Sequence, residues 1–221
     1  MHFEILVEGQ TELSTLSVLL PKIVGDYHDP HTWKIHKHRG IGKLPDNLAD
    51  RPNPKDPSLL HNLPAKLRAY GRSLQVGEVV VVLVDLDDRE SCTSFKQELI
   101  ELLRYCEKPP RALFYIAIEE LEAWFLGDRM ALQAAYPTAN VEVLNSYQQD
   151  SQCGTWEVLA DAVYPGGISA LHSKHGARSV RILEHKRLWA KKIAPLMNVD
   201  ANLSPSFSSF RDGIREILSN D

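Results

Sequence analysis

The feature that most constrains this fold is an unbroken run of six apolar residues that stops at a carboxylate. Residues 79–84 are five valines and one leucine, and Asp85 and Asp87 come immediately after them. Such a run is typical of a buried parallel strand, with the next residue at the strand's carboxyl end. The segment 3–7 precedes Glu8 in the same way. Because ligands of open α/β sheets bind at this edge, Glu8, Asp85 and Asp87 are predicted to converge there if the two strands are neighbours.

These carboxylates predict a metal site. Clustered carboxylates repel one another unless a hard cation such as Mg²⁺ lies between them. Alternation along the strand predicts that Asp85 and Asp87 point the same way. Asp88 is either a third ligand or the cap of the following helix. For Glu8 the alternative is a solvated acid just past the strand, with Gly9 forming a turn.

Apolar periodicity in the rest of the chain predicts alternating elements. Strands are predicted at residues 2–7, 32–36, 79–84 and 111–118, and helices at 11–24, 63–71, 94–105 and 119–126, with Thr11 capping the first. This order predicts an α/β fold with a mostly parallel sheet flanked by helices. The last third favours helices alone, at residues 156–163, 180–196 and 207–218. We therefore expect an α/β core over residues 1–128 and a helical C-terminal subdomain over residues 129–221.

The composition narrows the class of protein. The chain has 221 residues, of which 43% are hydrophobic and 24% charged, as is usual for a soluble protein. No apolar run approaches the ~20 residues of a membrane span, and the chain does not begin with a signal peptide. The three cysteines, Cys92, Cys106 and Cys153, lack a disulfide or zinc pattern, which favours a cytoplasmic location. With a net charge of −4, nucleic-acid binding would require a local basic patch.

A third acidic segment follows the fourth predicted strand. Glu119 and Glu122 are three residues apart, so they share one face of the predicted helix. Acids in a first helical turn are also favoured by the helix dipole, which is the structural alternative. The position of the segment at a strand's carboxyl end favours a contribution to the metal site.

Basic residues concentrate in two segments, at residues 34–43 and 174–192, which are predicted to flank the acidic site in the fold. A solvated surface is the alternative to a phosphate-backbone contact for both. Lys174 lies in a predicted loop, from which it is a candidate catalytic cation beside the scissile phosphate. The predicted nucleic-acid contacts are Lys37, Arg39 and Lys43 in the first segment and Arg178, Arg181 and Lys186 in the second.

Several of these motifs resemble a known superfamily. Val7-Glu8-Gly9 together with Leu83-Val84-Asp85-Leu86-Asp87 resembles the Toprim domain, which has a Glu after its first strand and an Asp-x-Asp after its third. This resemblance covers residues 1–128. Glu119-Glu120-Leu121-Glu122-Ala123-Trp124 and Ser204-Pro205-Ser206-Phe207 further resemble a bacterial Toprim-like branch, the domain of unknown function 4276 family. The branch is related to the overcoming-lysogenization-defect nucleases.

The Toprim resemblance implies phosphoryl-transfer chemistry that depends on Mg²⁺, with Mn²⁺ as a possible substitute. It implies that Glu8 is a metal ligand or a general acid/base and that Asp85 and Asp87 are metal ligands. The nuclease relatives use two metals, and the candidates for the second site are Glu12, Asp88, Glu119 and Glu122.

The function expected from this resemblance is metal-dependent cleavage of DNA or RNA, in phage or mobile-element defence. The chain carries no ATP-binding motif, so an ATPase of the kind that accompanies such nucleases would be a separate subunit. The alternative from a different class is a non-catalytic Toprim-like subunit that binds nucleic acid or regulates a larger complex. Phosphoryl transfer on a small nucleotide is a third possibility.

Overall fold

The computed structural model describes residues 1–87, 89–151 and 154–219, and its centre is one parallel sheet. Asp88 and Cys153 lie outside the described residues. The strands are β1 (His2–Val7), β2 (Thr32–Lys37), β3 (Glu78–Asp85) and β4 (Ala112–Ala117), in the order β2-β1-β3-β4. The predicted α/β class is confirmed, and β1 and β3 are neighbours as the convergence of their acidic residues requires.

Helices occupy the connections between the strands, and the regular elements described after β4 are all helices. None of those in the described part of the chain is long and apolar enough to cross a membrane. Two short 3-10 helices, Leu102–Tyr105 and Ala194–Leu196, extend α3 and α9. The helices are α1 (Gln10–Val24), α2 (Leu59–Ser73), α3 (Cys92–Glu101), α4 (Glu122–Leu126), α5 (Arg129–Ala135), α6 (Val141–Ser146), α7 (Thr155–Val163), α8 (Gly167–His175), α9 (Val180–Ile193) and α10 (Pro205–Ser219).

The two faces of the sheet pack against different sets of helices. Alternate residues such as Ile5 and Val81 face one cluster, which includes α1 and the helical C-terminal region. Leu6 and Val82 face the other, formed with α2 and α3. A strand covered on both faces must be apolar at every position, which explains the unbroken run in β3. Because one apolar cluster joins the sheet to the C-terminal helices, those helices are packed directly on the core.

The register between β1 and β3 brings their carboxyl ends to the same level. Phe3 pairs with Val79 and Leu6 pairs with Val82 along two parallel strands. Glu8, the first residue after β1, therefore lies beside the end of β3. The chain that follows β2 runs beside the residues that follow β1, since the Gly40 N–H donates a hydrogen bond to the Glu8 carbonyl at 3.0 Å.

Three local predictions are wrong. The N-cap of α1 is Gly9 rather than Thr11, which lies inside the helix. The helix predicted from residue 119 begins at Glu122, because the backbone turns sharply at Glu119 with a φ of +60°. Lys174 lies in the last turn of α8 instead of a loop. The first two errors concern an element's end, where local sequence signals are weakest, whereas α8 is a whole helix that the apolar periodicity does not predict.

Candidate metal centre

The site begins with a direct contact between the ends of β1 and β3. The Asp85 backbone N–H donates to Glu8 Oε1 at 2.7 Å. This bond holds the Glu8 carboxylate against the carboxyl end of β3, where Asp85 is the last strand residue. The predicted convergence of Glu8 and Asp85 at one edge of a parallel sheet is what the structure shows.

Further carboxylates reach this edge from two helices. Glu12, on the first turn of α1, is 8% exposed, and Glu122, at the start of α4, is 2% exposed. Glu8, Glu12, Asp85 and Glu122 line one cleft of about 570 Å³. Glu120 lies beside Glu122, since the ammonium of Lys186 is within 4 Å of both carboxylates. These five residues, Glu8, Glu12, Asp85, Glu120 and Glu122, are called the acidic cluster below.

Burial and mutual repulsion raise the pKa of every member of the acidic cluster. For Glu8, burial and the charges of Asp87 and Glu12 raise the pKa to about 8, although the hydrogen bond from Asp85 opposes the shift. For Asp85, burial and the charge of Glu8 raise the pKa well above its usual value. Burial and the neighbouring Glu122 raise the pKa of Glu120 to about 7. Burial likewise raises the pKa of Glu12 and Glu122.

Lys186 lies inside this cluster. Its ammonium is 2.8 Å from Glu120 Oε1 and 3.4 Å from Glu122 Oε1. Burial lowers the pKa of Lys186, but the charges of Glu122 and Glu120 outweigh burial and raise it overall. The basic segment of the sequence predicts Lys186 as a nucleic-acid contact, whereas in the structure its ammonium pairs with Glu120 and Glu122. The reason is the packing of α9 against α1 and α4, the helices that carry Glu12 and Glu122.

Asp87 is less central than its spacing predicts. It follows the strand with a φ of +49°, so the simple alternation that would align it with Asp85 does not hold. The Asp87 carboxylate lies 3.6 Å from the Arg89 guanidinium, and 41% of the Asp87 side chain is exposed. It does not line the cleft, although its charge contributes to the raised pKa of Glu8. Asp87 is therefore at the border of the acidic cluster.

Glu119 has a structural partner instead of a place in the cluster. Its two carboxylate oxygens accept hydrogen bonds from the N–H groups of Gly154 and Thr155, at 2.5 and 2.7 Å. Those N–H groups begin α7, and a carboxylate there satisfies unpaired donors and the helix dipole. The predicted shared helix face of Glu119 and Glu122 is wrong. Glu120 is not among the predicted site residues, yet it forms an ion pair with Lys186. The one feature of the sequence that points to it is its place in the acidic run.

Hydrogen bonds to the segment at residues 202–206 hold α4, and hence Glu122, in position. Trp124 Nε1 donates to Ser206 Oγ at 3.1 Å, and the Asn202 amide donates to the Trp124 carbonyl at 2.8 Å. Ser206 N–H in turn donates to Asp150. The segment at residues 204–207 therefore anchors the acidic segment from the C-terminal side. Its role is visible only in three dimensions, because the two segments are about eighty residues apart in the chain.

Part of the predicted basic surface lies at the mouth of the cleft. Lys37 and Arg39, at the end of β2, and Arg187, on α9, line the cleft together with the carboxylates. These three residues are called the basic rim below. Arg187 is not among the predicted nucleic-acid contacts. The rim combines the two basic segments, as predicted, but with only some of the predicted residues.

The remaining predicted cations lie elsewhere. Lys174 and Arg181 line a separate cavity of about 560 Å³ with His175 and His185. Arg181 also forms an ion pair with Glu184 at 2.7 Å. Lys43 and Arg178 are exposed and do not line the acidic cleft. The candidate catalytic role of Lys174 is therefore not supported by its position.

The donor set of the acidic cluster suits a hard divalent cation. Glu120 Oε2 and Glu122 Oε1 are buried without a hydrogen-bond partner, and carboxylate oxygens are the ligands that Mg²⁺ and Mn²⁺ prefer. Among residues 1–87, 89–151 and 154–219, no three acidic, His or Cys side chains are already grouped around one metal position. Ion binding there requires side-chain rotation, which mutual repulsion opposes until a cation is present.

The comparison with known proteins gives one match. A family profile described as Domain of unknown function (DUF4276) matches residues 7–215. No curated protein and no solved structure matches the chain significantly. The family match includes the whole acidic cluster and the basic rim.

Proposed function

We propose that this chain, which belongs to the family described as Domain of unknown function (DUF4276), is a metal-dependent nuclease that cleaves phosphodiester bonds in nucleic acids. The observation that carries the proposal is the hydrogen-bonded pair of Glu8 and Asp85 at the carboxyl edge of neighbouring parallel strands. The resemblance of these two positions to the Toprim pattern supports the same chemistry. The nuclease relatives of that pattern suggest a setting in phage or mobile-element defence.

The proposed metal is Mg²⁺, with Mn²⁺ as a substitute. Glu8, Glu12 and Asp85 would hold it, because they line one cleft and have no ion-pair partner in the described residues, whereas Glu122 faces Lys186. When bound, such an ion supplies Lewis-acid activation and neutralises charge that develops on phosphate oxygens. The partly exposed Asp87 would act at the border of the site.

If Glu8 does not coordinate the ion, it is the residue best suited to move a proton, because a carboxylate bound to a divalent ion stays ionised. In the metal-free protein its pKa is raised to about 8, so its carboxyl holds a proton over part of the neutral range. A group whose pKa lies near the working pH is an efficient general acid or base. The Asp85 N–H fixes one of its oxygens, which leaves the other oxygen to exchange a proton with a reacting group in the cleft.

The basic rim would hold the substrate backbone. A cleft lined by carboxylates repels a polyanion, so cations at its mouth must guide the polymer in. Neither Arg39 nor Arg187 forms an ion pair with a carboxylate in the part of the chain that the structure describes. Within the same part of the chain, Lys37 contacts only the Gln10 amide oxygen. These three charges would therefore meet phosphates at the entrance to the acidic cluster.

Replacing Lys37, Arg39 and Arg187 together by Ala is expected to weaken binding to all nucleic-acid sequences alike. Each lost phosphate contact reduces the slope of log affinity against log salt by about 1, so the triple variant should lose about 3. Fluorescence anisotropy with labelled oligonucleotides in Ca²⁺, at several salt concentrations, measures this slope.

The matched control for the rim variant replaces Lys174, Arg178 and Arg181, which carry the same total charge away from the cleft. The control is expected to keep the wild-type slope. An equal loss of slope in both variants would show that net charge matters and that the basic rim has no special role.

The assay that tests the proposed function offers single- and double-stranded DNA and RNA to the protein with Mg²⁺, with Mn²⁺ and with a chelator. Cleavage that requires either metal is the expected result. The non-catalytic alternative predicts binding without cleavage under every condition. Failure to bind or cut any of the four polymers would reject both the nuclease and the nucleic-acid-binding alternatives.

A further inference from the structure

The acidic cluster already contains one cation of its own. Among residues 1–87, 89–151 and 154–219, Lys186 is the one Lys or Arg whose charged group lies within 4 Å of a carboxylate of the acidic cluster. Its contacts are confined to one end of the cluster, with Glu120 at 2.8 Å and Glu122 at 3.4 Å. Glu8, Glu12 and Asp85, at the other end, have no ion-pair partner in the described residues. Among the described residues, direct ion pairing in the cluster is therefore confined to Glu120 and Glu122.

Lys186 is held where it is by its surroundings. Only 15% of its side chain is exposed, and its ammonium lies 5.7 Å from the centre of the Trp156 ring. The aromatic face and the two carboxylates all favour the charged form of Lys186. A buried charge of this kind is costly to remove from its partners. It is thus a permanent part of the site rather than a mobile surface lysine.

An ammonium and a divalent ion compete for the same carboxylate oxygens. Glu122 Oε1 is buried and has no hydrogen bond, yet it faces the Lys186 ammonium at 3.4 Å. The oxygen that a second metal ion would need is therefore already opposite a positive charge. Placing a divalent ion next to that ammonium would add strong repulsion in a poorly solvated space.

We propose that Lys186 occupies one of two cation positions in the acidic cluster, so that the protein binds a single divalent ion at the end formed by Glu8, Glu12 and Asp85. This inference rests on the proposed metal centre and adds its stoichiometry. The nuclease relatives named from the sequence use two metals, so this member would differ from them. Lys186 would supply a fixed single charge in place of the second ion.

The experiment is a titration of the metal-free protein with Mn²⁺ by isothermal calorimetry, together with the content of bound Mn²⁺ after gel filtration. Wild type is expected to bind one ion per chain. Lys186→Met removes the ammonium while keeping an unbranched apolar side chain, and it is expected to bind two. Lys186→Arg retains the positive charge as the matched control and is expected to bind one. Asp85→Asn is expected to lose the wild-type ion.

Each outcome separates this inference from the proposed function. Two ions bound to the wild type, or one ion bound to folded Lys186→Met, would overturn the role of Lys186 but leave the metal-dependent nuclease intact. No ion bound to the wild type would overturn both. If Lys186→Met does not fold with its carboxylates unpaired, the wild-type stoichiometry decides: one ion supports the inference and two reject it.

Discussion

Replacing Asp85 by Asn is expected to reduce phosphodiester cleavage by at least about 1000-fold, because a metal ligand contributes several kcal/mol of transition-state stabilisation. Asn has the shape of Asp, and the substitution does not change the backbone N–H of residue 85 that donates a hydrogen bond to Glu8. It removes the negative charge at the end of β3 where the ion is proposed to bind. Single-turnover cleavage of a labelled substrate with saturating Mg²⁺ measures the effect directly.

The control for this variant is Asp26→Asn. Asp26 is an exposed acid between α1 and β2, and because the strands are parallel it lies near the opposite, amino edge of the sheet. Its replacement removes the same charge and is expected to leave cleavage unchanged. Folded Asp85→Asn that retains cleavage within about tenfold of the wild-type rate would contradict the assignment of Asp85 as a metal ligand.

The second large effect is on stability without metal. Glu8→Gln is expected to stabilise the metal-free protein progressively as the pH rises from about 5 to about 8. The pKa of Glu8 is raised from 4.5 to about 8 by burial and by neighbouring acids. A carboxyl with a raised folded-state pKa favours folding only while protonated, so the wild type loses stability as the pH rises through this window. Gln does not ionise and avoids the loss.

The size of the effect follows from the shift. One pKa unit corresponds to about 1.4 kcal/mol, so the variant should exceed the wild type by roughly 4 kcal/mol at pH 8 and match it near pH 4. Urea unfolding with a chelator at several pH values measures the difference. Burial lowers the pKa of His31, His38 and His185, which gives the opposite trend near pH 6. That contribution is common to both proteins and cancels in the difference.

Mg²⁺ should reverse the wild-type loss. An ion present at about 100 times its Kd adds about 2.7 kcal/mol to the free energy of unfolding. The gain should increase with pH, since protons compete with the metal for the same carboxylates. A difference between Glu8→Gln and wild type that stays flat from pH 5 to pH 8 would mean that Glu8 ionises in the folded protein as readily as in water.

The parallel character of the sheet was determined by local sequence, whereas the order of its strands was not. The unbroken apolar run in β3 requires cover on both faces, and the alternation of strands and helices requires parallel connections. Parallel strands place their carboxyl ends at one edge, so Glu8 and Asp85 were predictable as soon as the two strands were recognised as neighbours. These inferences depend on residues close together in the chain, where periodicity carries the information.

The membership of the acidic cluster was decided by the tertiary structure. A single left-handed residue, Glu119, turns the chain so that Glu120 joins the cluster while Glu119 caps α7. Lys186 reaches the carboxylates because of the face on which α9 packs, whereas Lys174 and Arg181 line a separate cavity. Nothing in the charge pattern distinguishes these cations. Their roles follow from how distant helices pack on the sheet edge, which spacing along one chain does not encode.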